Sequence, residues 1–291
     1  MTLAQALQTT THVFRLNSVD YSHLEARVLL QHISRLSPAQ LYSESDRLLT
    51  DEEIALLQQL VERRLLGEPS SYIVGHKEFY GHDFYVDQRV LIPRPETELL
   101  VEAALQWANT FAHSKPRLGR PLVIADIGTG CGAIAVALAL RLPKSIIYAV
   151  DISPSALEVA RINSARHNVT EQVVLLQGNL LEPLPEPADL VIANLPYIKT
   201  PDLANLSPEI ARFEPLLSIH GGEDGLRVIE SLLSQLEGKI LPHSCLLLEI
   251  GRGQDSESSS LLKRYIPHAD CVFLSDYGGV NRVVKITFHH V

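Results

Sequence analysis

Basic residues are scarce relative to acidic ones: 25 Lys and Arg face 34 Asp and Glu, giving a formal net charge of −9. Nucleic-acid enzymes draw much of their affinity from cationic contacts to phosphate, so a protein substrate is expected and no direct nucleic-acid partner. The close arginine pairs Arg63-Arg64 and Arg117/Arg120 read as solvated surface. Cysteine is also sparse, and Cys131, Cys245 and Cys271 show no metal or redox spacing, as in a chain kept in a reducing cytosol. The twelve histidines are scattered without ligand spacing, so no metal site is predicted. The most apolar run, Ala133–Leu140, is far too short to cross a bilayer. The opening MTLAQALQTTTHVFRL has no basic segment leading into an apolar one, so no secretory signal is predicted. A cytoplasmic protein without membrane partners is expected.

What is present is ordinary globular material. The 291 residues are 46% hydrophobic and 20% charged, enough for a good core in one large or two unequal domains. Residues 1–70 carry helical patterning. Leu24, Val28, Ile33 and Leu36 recur at helical spacing within Tyr21–Leu36. The acidic start Asp51-Glu52-Glu53 leads to Ile54, Leu57, Val61 and Leu65 on one face, and Gly67-Glu68-Pro69 stops that helix. Residues 71–92 change character. Their aromatic density (Tyr72, Phe79, Tyr80, Phe84, Tyr85) around Gly81-His82-Asp83 predicts a β-hairpin linking the lobes, with aromatics that pack and a tip able to overhang a site.

From residue 93 to 291 strands and helices alternate. A buried strand, Leu122–Asp126, runs into Ile127-Gly128-Thr129-Gly130-Cys131-Gly132 and then a small apolar helix from Ala133. Glycines there allow a tight turn and close approach to a ligand, where a Cβ would collide. Strand Ile146–Val150 ends in Asp151, whose carboxylate can accept two hydrogen bonds from a ribose diol. Ser153-Pro154-Ser155 opens the next helix, with Ser155 and Glu158 spaced as a capping box. Strand Val173–Gln177 ends in Gly178-Asn179, where Asn179 can bond an adenine edge. A cofactor site is thus predicted at Asp126, Gly128, Thr129, Gly130, Cys131, Gly132, Asp151 and Asn179, with Cys131 as a small packing residue and not a nucleophile. The glycines also meet the looser dinucleotide fingerprint, so a nicotinamide domain competes. The tighter Gly-x-Gly-x-Gly spacing favours S-adenosylmethionine (AdoMet).

Asp189–Ile198, DLVIANLPYI, is the most informative stretch. A short buried strand stops at Asn194-Leu195-Pro196-Tyr197, at the carboxyl end where open α/β sheets bind ligands. The Asn194 amide can grip another amide through its donor and its acceptor, and is placed to touch the cofactor as well. Pro196 biases Leu195 toward extended backbone, and Tyr197 offers a flat face. The set suits methylation of a planar nitrogen, a glutamine amide or an adenine amine, and has no evident use in hydride transfer. After a polar loop, Lys199–His220, come helix Leu226–Leu236, strand Cys245–Ile250, helix Leu261–Tyr265 and strands Cys271–Leu274 and Arg282–Phe288. The short turn Asp276–Asn281 makes the last two antiparallel. The fold class predicted is α/β: a Rossmann-like, class I AdoMet-methyltransferase sheet of seven strands with the last strand antiparallel, plus a small N-terminal helical domain.

The chain resembles the bacterial glutamine-N5 methyltransferases of class-one peptide-chain release factors, the PrmC/HemK family. The resemblance spans nearly the whole sequence and rests on Leu91–Glu98 (LIPRPETE), Asp126–Gly132, Asn194–Ile198, Gly221–Leu226, Leu247–Gly251 and Asp276–Arg282. It implies AdoMet as methyl donor, S-adenosylhomocysteine as product, and the glutamine of the release factor's Gly-Gly-Gln loop as acceptor. The N-terminal lobe would contact the release factor, and a monomer is favoured. Asn194, Leu195, Pro196 and Tyr197 would bind the substrate and carry catalysis. Two departures stand out: the family has Asn-Pro-Pro-Tyr where Leu195 falls here, and usually an aspartate at Asn179. Asn-Leu-Pro-Tyr also resembles rRNA adenine-N6 dimethyltransferases, but those are typically basic and carry their extra helices at the C-terminus. N5 methylation of a ribosomal-protein glutamine is the nearer alternative. Roles for Arg94, Glu96 and Glu98 are not legible.

Overall fold

Three helices near the N-terminus open on a hydroxyl residue followed three positions later by Gln or Glu. Thr2 with Gln5, Ser37 with Gln40 and Thr50 with Glu53 form reciprocal caps at the starts of Leu3–Leu16, Pro38–Ser43 and Asp51–Leu65. Each cap satisfies two backbone donors that a helix's first turn leaves unpaired. With Ser22–Ser34 and Ser70–Val74, these helices enclose a core that includes Phe14, Leu29, Leu30, Leu57 and Leu60. The computed structural model describes residues 1–114 and 120–289. It divides into two units, Met1–His76 with Ser207–Phe213, and Lys77–Leu206 with Glu214–Val291. No described helix is long and apolar enough to cross a membrane.

In the helical unit the buried faces differ in phase from those predicted. Ser22–Ser34 buries Ala26, Leu29, Leu30 and Ile33 and leaves Leu24 exposed. In Asp51–Leu65 the inner stripe ends at Arg64, only 4% exposed, and Leu65 faces outward. The guanidinium explains the difference: its Nε donates to Glu25 at 2.6 Å and its Nη2 reaches Glu209. A buried cation is stable only with such partners. Arg63 pairs with Glu68 at 2.6 Å and Arg120 with Asp189 at 2.6 Å, so these arginines are engaged by carboxylates of the chain; Arg117 lies outside the described residues. Replacing Arg64 by Ala strands Glu25 and Glu209 without their counter-ion. The expected cost is about 3 kcal/mol of unfolding free energy, read from the urea midpoint. A midpoint unchanged by that substitution would remove the pair from any structural role.

The second unit starts with a hairpin shorter than the predicted 71–92. Tyr72–Val74 is helical, and the strands are His76–Phe79 and His82–Tyr85. The reversal falls at Tyr80-Gly81, both at positive φ (52° and 75°), as a tight two-residue turn demands. Glu98 accepts the Tyr80 N–H at 2.8 Å, and Asn163 exchanges both its amide ends with the Tyr85 backbone. Phe79 and Phe84 are fully buried against each other, so these two aromatics pack as predicted.

The sheet has seven strands: β1 (Leu122–Ile127), β2 (Ser145–Asp151), β3 (Val173–Gln177), β4 (Ala188–Ala193), β5 (Ile240–Glu249), β6 (Asp270–Ser275) and β7 (Asn281–Thr287). Their order is β6-β7-β5-β4-β1-β2-β3. β1 to β5 are mutually parallel, and β7 runs antiparallel to both β5 and β6. This is the predicted architecture. The reversal is set by Asp276, whose carboxylate accepts the Gly278 and Val280 N–H groups and the Arg282 guanidinium. Strand order turns back between β1 and β4. Those two strands carry the glycine loop and the Asn-Leu-Pro-Tyr segment at their carboxyl ends, which is where a doubly wound sheet leaves its ligand crevice. Residues 199–220, predicted as a polar loop, contain short helical turns (Thr200–Asn205, Pro208–Phe213, Leu216–Ser218) and a two-strand pairing of Ile198–Lys199 with His220–Gly222.

Candidate active site

The loop after β1 is shaped by hydrogen bonds that only a glycine-rich backbone can reach. Gly128, Gly130 and Gly132 all have positive φ. The Gly128 and Thr129 amides donate to the Val150 carbonyl, both at 2.9 Å, and the Gly130 amide donates to Asp151 Oδ2 at 2.9 Å. Asp126 works from beneath: its Oδ2 accepts from the Thr129 hydroxyl (2.6 Å) and the Ala135 amide (3.1 Å), while Oδ1 is buried without a partner. Burial pushes its pKa up to about 7. Asp151 spends one lone pair of each oxygen on the Gly130 and Ser153 amides and keeps the others toward the crevice. Burial raises its pKa as well. The helix that follows is capped by Ser153, not Ser155; Ser153 Oγ accepts the Ala156 amide, and Glu158 pairs with Arg89.

A cavity of about 300 Å³ opens over this loop. Of the predicted cofactor residues, Gly128, Gly130, Asp151, Asn179 and Asn194 line it, and so do Leu195 and Pro196. Asp126, Thr129, Cys131, Gly132 and Tyr197 do not line it. Cys131 is buried, with its thiol pushed up to about 12, which fits packing and not nucleophilic attack. Asn179 is exposed and donates to Glu182 at 2.9 Å. Ile152 and Leu217, which the sequence reading passed over, add apolar wall.

The four residues after β4 are held from several sides. Asn194 Nδ2 donates to the Thr97 hydroxyl at 3.0 Å. Leu195, 3% exposed, packs beside Gly128, so the leucine that departs from the family pattern joins the core at the wall of the crevice. The Tyr197 carbonyl accepts from Gln254 Nε2 (3.0 Å), and its hydroxyl donates to Glu249 at 3.3 Å. Burial drives the Tyr197 hydroxyl pKa up and that of Glu249 up to about 7. Gly225, at φ +75°, lies under the same backbone: a Cβ there would sit 2.3 Å from the Tyr197 carbonyl oxygen and 2.5 Å from Gln254 Nε2. Gly225→Ala is therefore expected to cut turnover more than about tenfold while AdoMet affinity stays within about threefold, compared by steady-state kinetics and calorimetry. Equal turnover in the variant would show that the Tyr197 backbone can shift freely.

The LIPRPETE segment acquires roles here. Arg94 donates through one nitrogen to both oxygens of the buried Glu214 (2.6 and 2.7 Å). Thr97 reaches Asn194, and Glu98 pins the hairpin turn. Sequence reasoning missed Thr97 and Glu249. The available signal for Glu249 was a carboxylate closing an apolar strand beside β4.

Asp126 and Glu249 have folded-state pKa values raised above the ordinary carboxyl range, so across about pH 4.5 to 7 the folded chain keeps protons that the unfolded chain has released. Stability from these two groups is highest below that window and is lost as pH rises through it. Relative to an Asp126→Asn, Glu249→Gln variant, the wild type is expected to lose about 1–3 kcal/mol between pH 5 and 7.5 in guanidinium denaturation. A relative gain over that interval would reverse the assignment.

Comparison with known proteins matches residues 5–75 to the PrmC N-terminal domain and residues 102–214 to ribosomal protein L11 methyltransferase (PrmA). A release factor glutamine methyltransferase of Geobacter sulfurreducens is 37% identical over 97% of this chain and 95% of its own length. One from Moorella thermoacetica is 38% identical over 97% of both chains. Among solved structures, the hMettl16 catalytic domain in complex with MAT2A 3′UTR hairpin 1 superposes with a TM-score of 0.56 at 14% identity, over 94% of this chain and 91% of that one, a likeness of fold alone.

Proposed function

This chain belongs to the release factor glutamine methyltransferase family, and on that premise we propose that it transfers a methyl group from AdoMet to the side-chain amide nitrogen (N5) of the Gly-Gly-Gln glutamine in class-one release factors. Membership and fold make it an AdoMet-dependent methyltransferase. The observation that carries the finer reading is the side-chain amide of Asn194, which faces the same crevice as Asp151. AdoMet fits the residues present: Gly130 lines the cavity with nothing nearer than 4.0 Å to a Cβ built on it, so a side chain there would project into the crevice, and Asp151 has free lone pairs on that wall. Asp151 would hold the ribose hydroxyls, Gly128 and Gly130 the approach of the cofactor, and Asn179 the adenine.

When bound, AdoMet supplies an electrophilic methyl group and departs as S-adenosylhomocysteine. The residues then have a positioning task. A glutamine nitrogen is a poor nucleophile because its lone pair is delocalised into the carbonyl. Asn194 accepts one of its N–H groups and donates to its carbonyl, and the Leu195 carbonyl accepts the other N–H. Two acceptors below the nitrogen favour its pyramidal form and turn the lone pair toward the methyl. Tyr197, anchored through Glu249 and Gln254, would hold the backbone that follows the clamp in place. The rate gain comes from orientation and preorganised dipoles, with no general base required before transfer; the surplus proton leaves to water afterwards. The N-terminal helical lobe, residues 1–70 in the sequence division, would contact the release factor, the hairpin region 71–92 would link, and residues 93–291 would catalyse. A cytoplasmic monomer is proposed.

Methyl-labelled AdoMet separates the readings. It is offered with an unmethylated release factor, with ribosomal proteins or with rRNA. Label in the release factor supports the proposal, and label only in ribosomal protein or rRNA replaces it.

A further inference from the structure

The side chain of Asn179 lines the cofactor cavity just beyond the end of β3, and its two ends differ in chemistry. An amide accepts a hydrogen bond at its oxygen and donates at its nitrogen, so the end it presents decides what it recognises. A neighbouring carboxylate makes that choice. Asn179 Nδ2 donates to Glu182 Oε1 at 2.9 Å, and an ionised carboxylate accepts without donating. Turned over, the amide would set its oxygen against that carboxylate. Oδ1 has no partner among the described residues and is left for a ligand.

The turn that carries this pair is held from several sides. The Gly178 amide donates to the Asp151 carbonyl at 3.1 Å, which ties Asn179 to the strand end bearing the ribose acid. The Glu182 amide donates to the Asn179 carbonyl at 3.1 Å, and Lys239 Nζ donates to the Glu182 carbonyl at 3.0 Å. Between them Leu180 is buried at φ +54°, a conformation that a leucine adopts where its surroundings hold it. Gln235 Oε1 accepts the Leu181 amide at 2.9 Å, so its Nε2 end faces Glu182 at 3.5 Å. Asn179 and Glu182 are both exposed, so this neighbour governs the amide and not close packing.

We propose that Glu182, acting through the Asn179 amide, makes the cofactor site selective for a 6-amino over a 6-oxo purine. It is a positioning residue, and the role rests on Asn179 facing the adenine. With Nδ2 held by Glu182, Oδ1 accepts an N–H of the adenine 6-amino group. Hypoxanthine places a carbonyl oxygen at the same point, and two acceptors then face each other. Without the carboxylate the amide turns freely and meets either base. A cation at position 182 draws Oδ1 to itself and presents Nδ2 to the cavity, which favours the 6-oxo base.

The test is calorimetric binding of S-adenosylhomocysteine and of its 6-oxo counterpart, S-inosylhomocysteine, to the full chain and its variants. Wild type is expected to bind the amino compound at least about tenfold more tightly. Glu182→Lys should reduce that preference at least about fivefold, and Glu182→Ala should fall between the two. Asn179→Asp added to Glu182→Lys should return the preference to within about twofold of wild type, because a carboxylate has no donor end to present. A wild type without preference, a preference that Glu182→Lys leaves unchanged, or one that Asn179→Asp fails to restore overturns the proposal. If Glu182→Lys does not fold, Glu182→Ala decides alone. Asn179→Ala measured alongside keeps the two levels apart. A wild-type preference in that variant defeats the placement of Asn179 on the adenine. A preference lost there but kept in Glu182→Lys defeats the proposal alone.

Discussion

Asn194→Ala is expected to lower kcat about a thousandfold while leaving AdoMet affinity within about threefold. The substitution removes the acceptor and the donor that grip the substrate amide, and these interactions matter most as the nitrogen becomes pyramidal. Removing one preorganised hydrogen bond at developing charge typically costs two to three orders of magnitude in rate. The fold should tolerate the change, because Asn194 is partly exposed at the cavity wall and its one described side-chain partner is Thr97. Quenched-flow methylation of the release factor and calorimetric AdoMet binding measure the two quantities separately. A variant with near-normal kcat would mean that the amide is held elsewhere.

Asp151→Ala should act on the other half of the site, raising the Kd for AdoMet about a hundredfold or more. Two carboxylate hydrogen bonds to ribose hydroxyls are each worth about 1.5–3 kcal/mol, and even their partial loss amounts to two decades. The variant also frees the Gly130 and Ser153 amides, so the glycine loop loses its anchor to β2. Asp151→Asn, which keeps an acceptor for one of those amides, should fall between wild type and Ala. Unchanged affinity in Asp151→Ala would place the ribose on a different wall of the crevice.

The architecture was legible because apolar strands alternate with helices and end in residues of special backbone behaviour. Gly128 to Gly132 and Asn194 to Tyr197 each mark the carboxyl end of a strand, and these ends meet where strand order turns back. Local signals of this kind survive without knowledge of the tertiary structure. The misread positions depend on partners far away in the chain. Arg64 replaces Leu65 on an inner face only because Glu25 and Glu209 are there to receive it. Thr97 and Glu249 lie 152 positions apart, and neither says anything alone. Thr97 gains its meaning from the hydrogen bond with Asn194, and Glu249 from the one with Tyr197.

The most direct measurement is peptide mass spectrometry of an unmethylated class-one release factor after incubation with this protein and AdoMet. One added methyl group is predicted, on the side chain of the Gly-Gly-Gln glutamine, with none when Asn194→Ala replaces the wild type. A methyl on another residue, or no transfer by a protein that still binds AdoMet, would contradict the assignment.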